Sequence, residues 1–271
     1  MKQNNFEPTW SSIKQHQTPN WFKKAKFGIY AHWGIYSVPA AGPNVTWYPY
    51  WMYRPPSPQF DYHCKHYGHP SKFGYKDFIP MFTAEKFNAE EWADLYYRSG
   101  AKFAGPVAEH HDGFPMWNCS DTEWCASKMG PKRDIVGELA KAIRNKGMKY
   151  MVAMHHAENW FFFPHWNNDF DTSKKKYESL YGELHNLDLI GNQAVYPDHW
   201  GRKNEHQDKP SKAFHDRWLN RLKEVVDNYK PDYVWFDFGI RFIHEKYKKD
   251  FLSYYYNAVS YTHLTLPTSR S

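Results

Sequence analysis

Cysteine is scarce in this 271-residue chain, limited to Cys64, Cys119 and Cys125. An odd number without metal-ligand spacing excludes a disulfide framework and a cysteine-built zinc site, and it leaves the redox compartment open. Long apolar runs are missing too. Met1 to Ser12 holds Lys2 but no stretch of signal-peptide length, and no later segment is apolar enough for a bilayer. Neither a leader nor a membrane partner is therefore expected in the chain as given. The compartment stays open, export of the parent protein included. No glycine-rich phosphate loop follows the first strand-like run, which argues against a dinucleotide fold. Lys and Arg number 35 against 29 Asp and Glu, a net charge of +6, yet no nucleic-acid-binding motif accompanies the excess. Part of it sits in Lys174, Lys175 and Lys176 and reads as a solvated face, so nucleic acid is not an expected partner.

Aromatic surface is abundant: 13 Trp, 21 Tyr and 19 Phe exceed what a core requires. Such rings suit places that are apolar on one side and wet on the other, sugar clefts and protein interfaces among them. Otherwise the composition, 41% hydrophobic and 24% charged, is that of a globular protein. The length allows one large domain or two small ones.

Short apolar runs alternate with longer amphipathic ones, the pattern of βα units around a parallel sheet. Strands are expected at Phe27 to Trp33, Lys102 to Ala108, Lys149 to Met154 and Tyr233 to Phe236. Helices are expected at Glu90 to Ser99, stopped by Gly100, at Asp134 to Asn145, stopped by Gly147, and at Lys212 to Tyr229, ended by Pro231. Pro39 to Lys76 reads as a structured loop over the sheet's C-terminal end, and Asp171 to Pro210 as a long polar insertion. Polar residues just past each strand end match the rule that barrel sites lie on that face. A doubly wound sheet shares the alternation but would carry its site at one switch point. Four βα units are half a barrel. After Asn257 the chain abandons the helical pattern of Lys246 to Tyr256, so residues 258–271 are read as a non-native tail and residues 1–257 as the N-terminal part of a barrel.

Histidine concentrates at the strand ends. His32 and Trp33 close the first strand; a lone histidine there serves equally as a satisfied core residue or as a ligand contact. Glu109-His110-His111-Asp112-Gly113-Phe114 follows the second strand, with Trp117 beyond it. Adjacent histidines on a strand point to opposite faces, so one metal would not easily take both. In a glycine-containing loop past the strand end, both can face the mouth and meet hydroxyls.

These motifs carry a specific resemblance. KFGIYAHWGIYSVPA from Lys26, the Trp47-Tyr48 pair, HHDGF from His110, GPKRDIVGEL from Gly130 and Trp235-Phe236-Asp237 occur in the order and approximate spacing of the family 29 glycoside hydrolases, the retaining α-L-fucosidases. The resemblance spans roughly Trp21 to Gly239. It implies an α/β fold of the (β/α)8 TIM-barrel type, incomplete here with about the first half present, and a glycosidase that releases α-linked L-fucose from a glycan. Asp237 would be the nucleophile. His32, His110, His111 and Trp47 would line the fucose pocket, with Tyr48, Trp117, His155, His156 and Trp160 as further candidate contacts. No metal and no cofactor is implied.

The chain departs from the family pattern in places. Thr46 stands where many members have glutamate, Glu109 where many have lysine, and His155 and His156 where many have tyrosines. Glu158 reads equally as a loop salt-bridge partner. The family's acid/base glutamate lies further along than its nucleophile, and no such residue is found here, so the chain as given is expected to be inactive and poorly folded. Two other readings stay open: a catalytically silent sugar-binding barrel, and a metal-dependent barrel hydrolase built on the histidine-rich loops. Oligomeric state is not legible.

Overall fold

The apolar runs become strands in the order the sequence presents them. The computed structural model describes residues 5–185 and 209–259, and the backbone of 263–265. Within them β1 (Gly28–Ala31), β2 (Phe103–Glu109), β3 (Lys149–Met154), β4 (Tyr233–Phe236) and β5 (His263–Thr265) form one sheet in the order β1-β2-β3-β4-β5. Every pairing is parallel, with Gly28 beside Phe103, Phe103 beside Lys149, Met151 beside Tyr233 and Tyr233 beside His263. A sheet that places each strand next to the last contains no reversal of strand order. The doubly wound alternative is thereby set aside for the described strands, and the fold is α/β on a parallel sheet.

β3 and β4 occupy the full expected runs. β1 is shorter than expected because Trp33 and Gly34 leave the sheet and a 3-10 turn begins at Ile35. β5 was not expected. It falls within the segment read as non-native, and its backbone pairs with β4.

Among the described residues, five helices of nine residues or more accompany the sheet: α1 (Pro58–His66), α2 (Ala89–Arg98), α3 (Ile135–Asn145), α4 (Lys212–Tyr229) and α5 (Glu245–Ala258). Their starts are chemically marked. The side chains of Ser57, Asn88, Asp134 and Ser211 each accept a bond from a first-turn backbone N–H, a contribution of about 1 kcal/mol per cap. α3 presents Ile135, Val136, Leu139, Ala142 and Ile143 at helical spacing and packs them against β2 and β3. Full burial of a side chain such as Leu139 or Ile143 stabilises by about 1.5–3 kcal/mol.

The stretch expected as a loop at 39–76 holds α1, because Ser57 followed by Pro58 at the first helical position is a strong start. The polar insertion is built in part from short turns at Asp171–Ser173, Lys175–Tyr177 and Glu178–Tyr181. Asp171 anchors them by accepting from Tyr53 at 2.7 Å and Tyr181 at 2.6 Å. Residues 186–208 of that insertion lie outside the described residues. No described helix is long and apolar enough to cross a membrane.

Candidate active site

The C-terminal ends of β1 to β4 place their polar residues together. Asp237 follows β4 directly, with a side chain 29% exposed. His155, one residue past β3, brings Nδ1 to 3.6 Å from Asp237 Oδ2, and His111, past β2, brings Nε2 to 3.8 Å of the same oxygen. His111 Nδ1 lies 2.9 Å from the His155 carbonyl oxygen. A carbonyl only accepts, so Nδ1 carries a proton, and in the neutral ring the Nε2 lone pair then faces the pocket. His32, exposed at the end of β1, completes the group, its ring 5.5 Å from that of His110 and 5.3 Å from that of His155.

Two glycines permit these turns. Gly113 has φ +75°, and a Cβ there would stand 2.3 Å from the Leu180 carbonyl oxygen; Gly239 has φ +83°, and a Cβ there would stand 2.5 Å from the Glu158 nitrogen. Any side chain would push the His110–Gly113 loop or the loop after Asp237 away from its seat. The Asn159 amide adds a donor to the His111 carbonyl at 2.9 Å, and the His155 N–H donates to the Glu109 carbonyl at 2.9 Å, which ties the β2 and β3 ends together.

Aromatic rings wall the cluster. Trp47 packs edgewise on His111 at 5.2 Å and on Phe162 at 5.3 Å; Tyr36 lies 4.9 Å from His110; Phe238, beside Asp237, is half-exposed and 6.3 Å from Trp47. Burial among these rings pushes the Asp237 carboxyl above the ordinary carboxylate range, with a bond from the Phe238 backbone opposing it. Burial, reinforced by neighbouring imidazoles, holds His110 and His155 well below the usual histidine value, so both rings are neutral at pH 7. Glu158 is buried nearby, and burial raises its carboxyl to about 8 against the pull of Arg241, with Asp237 raising it further. Asp112 is raised by burial to about 7 while it accepts from Tyr75 at 2.7 Å.

Four expected contacts are placed elsewhere. His156 faces away from His155, as alternation at a strand end dictates, and stacks on Phe214 of α4 at 5.1 Å. Its Nδ1 is 2.6 Å from Glu109 Oε1, which is also 2.5 Å from Arg221 Nη1. Arg221 Nε reaches the exposed Asp121 at 3.0 Å, so an ionic cluster centred on the buried Glu109, His156 and Arg221 joins β2, β3, α4 and the 118–125 loop behind the pocket. Burial opposes ionisation of Glu109, but Arg221 and His156 more than offset it and its carboxyl falls below the ordinary value. Trp117 is buried with Nε1 donating to Glu224 of α4 at 3.0 Å. Trp160 stacks on His185 at 4.1 Å and meets Phe214 at 5.2 Å. Tyr48 is buried with its hydroxyl 2.9 Å from His63 Nδ1 of α1.

A bulge sorts the two sets. Val107 pairs with Ala153 and Glu109 with Met154, so β2 carries one residue more than β3 at this end. Such a kink re-aims side chains beside a site. Glu109 turns toward α4, whereas His110 and His111 both face the pocket with ring centres 4.4 Å apart.

Tyr36, Phe162, Phe238 and Arg221 were not anticipated. Tyr36 lies four residues past His32 and Phe238 directly after Asp237, so proximity in sequence was available as a signal. Arg221 interrupts the apolar stripe Trp218, Leu222 and Val225, and an arginine on a buried helix face signals a buried acid.

Two trios could hold a metal ion among the described residues: His32, His110 and His155, and His111, His155 and Asp237, the ligand atoms of each within 4.8 Å of one another. His110 and His111 fall in different trios.

Rings for stacking, neutral imidazoles for hydroxyls and a single half-buried carboxylate describe, as a class, an α/β protein with a carbohydrate site. Comparison narrows the class: the family model described as Alpha-L-fucosidase matches residues 1–268, and the chain belongs to that family. It is similar to human plasma alpha-L-fucosidase, 36% identical over 233 residues that cover 86% of this chain and 42% of that one. To the alpha-L-fucosidase of Dictyostelium discoideum it is 32% identical over 244 residues, 88% of this chain and 45% of the relative. Thermotoga maritima alpha-fucosidase, solved in complex with fucose, superposes with a TM-score of 0.74 at 33% identity, covering 97% of this chain and 57% of that structure. The chain thus spans less than half the length of these curated relatives.

Proposed function

We propose that this chain supplies the nucleophile side of an α-L-fucosidase. The parent enzyme hydrolyses α-linked L-fucose from a fucosylated glycan with net retention, on a (β/α)8 barrel of which this chain forms about the first half. One observation carries the reading: Asp237 is the carboxylate that sits at a strand end within reach of His111 and His155, beside an aromatic wall.

In the first step an Asp237 oxygen attacks the anomeric carbon while the bond to the leaving oxygen breaks and that oxygen takes a proton from an acid. In the second, water deprotonated by the conjugate base attacks the same carbon and frees Asp237. His32, His110, His111 and His155 meet the sugar hydroxyls, the lone pair of His111 Nε2 accepting a hydroxyl proton, and Trp47 covers the apolar edge of the ring. No acid/base is assigned within the chain. Glu158 holds its proton near neutrality but is buried, and Glu109 is committed to Arg221. The test is hydrolysis of an aryl α-L-fucoside by the full-length protein, followed by proton NMR. Initial release of α-L-fucose supports the reading; the β anomer, or no hydrolysis, overturns it.

A further inference from the structure

We propose that His32, His110 and His155 form a three-imidazole site for a zinc-like divalent transition-metal ion, which competes with the sugar for the same pocket. This goes beyond the hydrolytic reading; only the competition rests on it. The three ring centres stand 5.5, 5.3 and 5.3 Å apart, a nearly equilateral triangle. Three imidazoles bound tetrahedrally at about 2.1 Å would place their ring centres about 5.3 Å apart, so the backbone already holds the rings at coordination spacing.

The nitrogens need only a small turn. The ligand atoms lie within 4.8 Å of one another, and His32 is exposed at the pocket rim, so its ring can swing inward. The other two are buried with spare capacity: His110 Nδ1 and both nitrogens of His155 find no hydrogen-bond partner among the described residues. An unused buried imidazole nitrogen is costly unless something fills it. Imidazole donors without thiolates suit zinc, copper or nickel rather than magnesium or calcium, and three protein ligands leave a fourth position for water. His155 is the hinge of the arrangement, because it also lies 3.6 Å from Asp237. A cation held there draws the nucleophile's charge toward itself and closes the path to the anomeric carbon.

The experiment is titration of the full-length protein, first treated with chelator, with ZnCl2 by calorimetry and with CoCl2 by visible absorption. One zinc ion per chain is expected, with the intense visible bands of four-coordinate cobalt and an apparent zinc affinity that falls as L-fucose is added. His155→Tyr and, separately, His32→Ala should weaken zinc binding by at least about 100-fold. His66→Ala, an exposed histidine on α1, should leave it unchanged. His32 is exposed, so its truncation tests the site even where His155→Tyr disturbs folding. Absence of zinc binding, or wild-type affinity in His32→Ala, overturns the proposal. Chelated protein that hydrolyses an aryl fucoside yet binds no zinc removes this inference alone, whereas zinc held by these histidines in a protein without hydrolysis removes only the proposed function.

Discussion

The pocket at the strand ends and the ionic cluster behind it are made from the same few residues of sequence yet behave oppositely. Glu109 lies against both Arg221 and His156, and Arg221 also reaches the partly exposed Asp121, so the buried acid has a cation beside it. The neighbours of Glu109 and His156 line the pocket instead: His111 and His155 lie 3.8 and 3.6 Å from Asp237, and His110 packs against both rings. Burial alone therefore does not mark a site. What distinguishes the supporting face is a guanidinium set against its buried acid, and what distinguishes the pocket is that imidazoles stand around its acid.

The largest expected effect is on the pocket side. Asp237→Ala in the full-length protein should lower turnover at least about a thousandfold, some 4 kcal/mol in the barrier, while sugar affinity persists. Azide should partly restore cleavage of an activated fucoside, and retention of more than a few per cent of the rate would show that the nucleophile lies elsewhere. The supporting face should answer in stability instead. Arg221→Met leaves Glu109 buried without its cation and should cost about 3–5 kcal/mol in urea unfolding; the double variant Glu109→Met with Arg221→Met should recover most of that loss. If the double variant is no more stable than the single one, the cluster is not held by charge compensation.

Smaller effects sharpen the contrast. His110→Ala and His111→Ala should each lose about 2–4 kcal/mol of transition-state stabilisation, read from kcat/KM, with little change in melting temperature. An unfolding shift as large as that of Arg221→Met would place them with the supporting face. The smallest effect concerns Glu158. Its folded carboxyl titrates at about 8, above the value of about 4.3 in an unfolded chain, so the folded state holds this proton longer. Stability from this residue is present at low pH and is lost as pH rises between about 4.3 and about 8. The melting temperature of Glu158→Gln should fall less over that window than that of the wild type, and parallel curves would show that Glu158 is ionised throughout.

Strand positions, helix stops at Gly100 and Gly147 and the parallel order were legible in the sequence because each rests on local chemistry: apolar runs, glycine and capping side chains. His32, Trp47, His110, His111, His155 and Asp237 were legible because they sit at strand ends, where a parallel sheet collects its polar residues. His156, Trp117, Trp160 and Tyr48 pack away from the Asp237 cluster for one shared reason. The direction of each is set by a partner outside its own stretch of chain: Glu109, Glu224, Phe214 and His63 respectively. Arg221 escaped notice because its meaning depends on an acid 112 residues away.

The doublet at 155–156 has a further consequence for how the sheet assembles. A strand paired one residue out of register exchanges its two faces, and such a slip usually delivers the wrong chemistry to both. Here a slip that put His156 where His155 stands would still offer a histidine to Asp237, but it would set Ala157 against Glu109. Discrimination against that trap falls to Glu109, which would lose its imidazole, and to the place of Ala153 between Val107 and Trp235, which the longer Met154 would overfill.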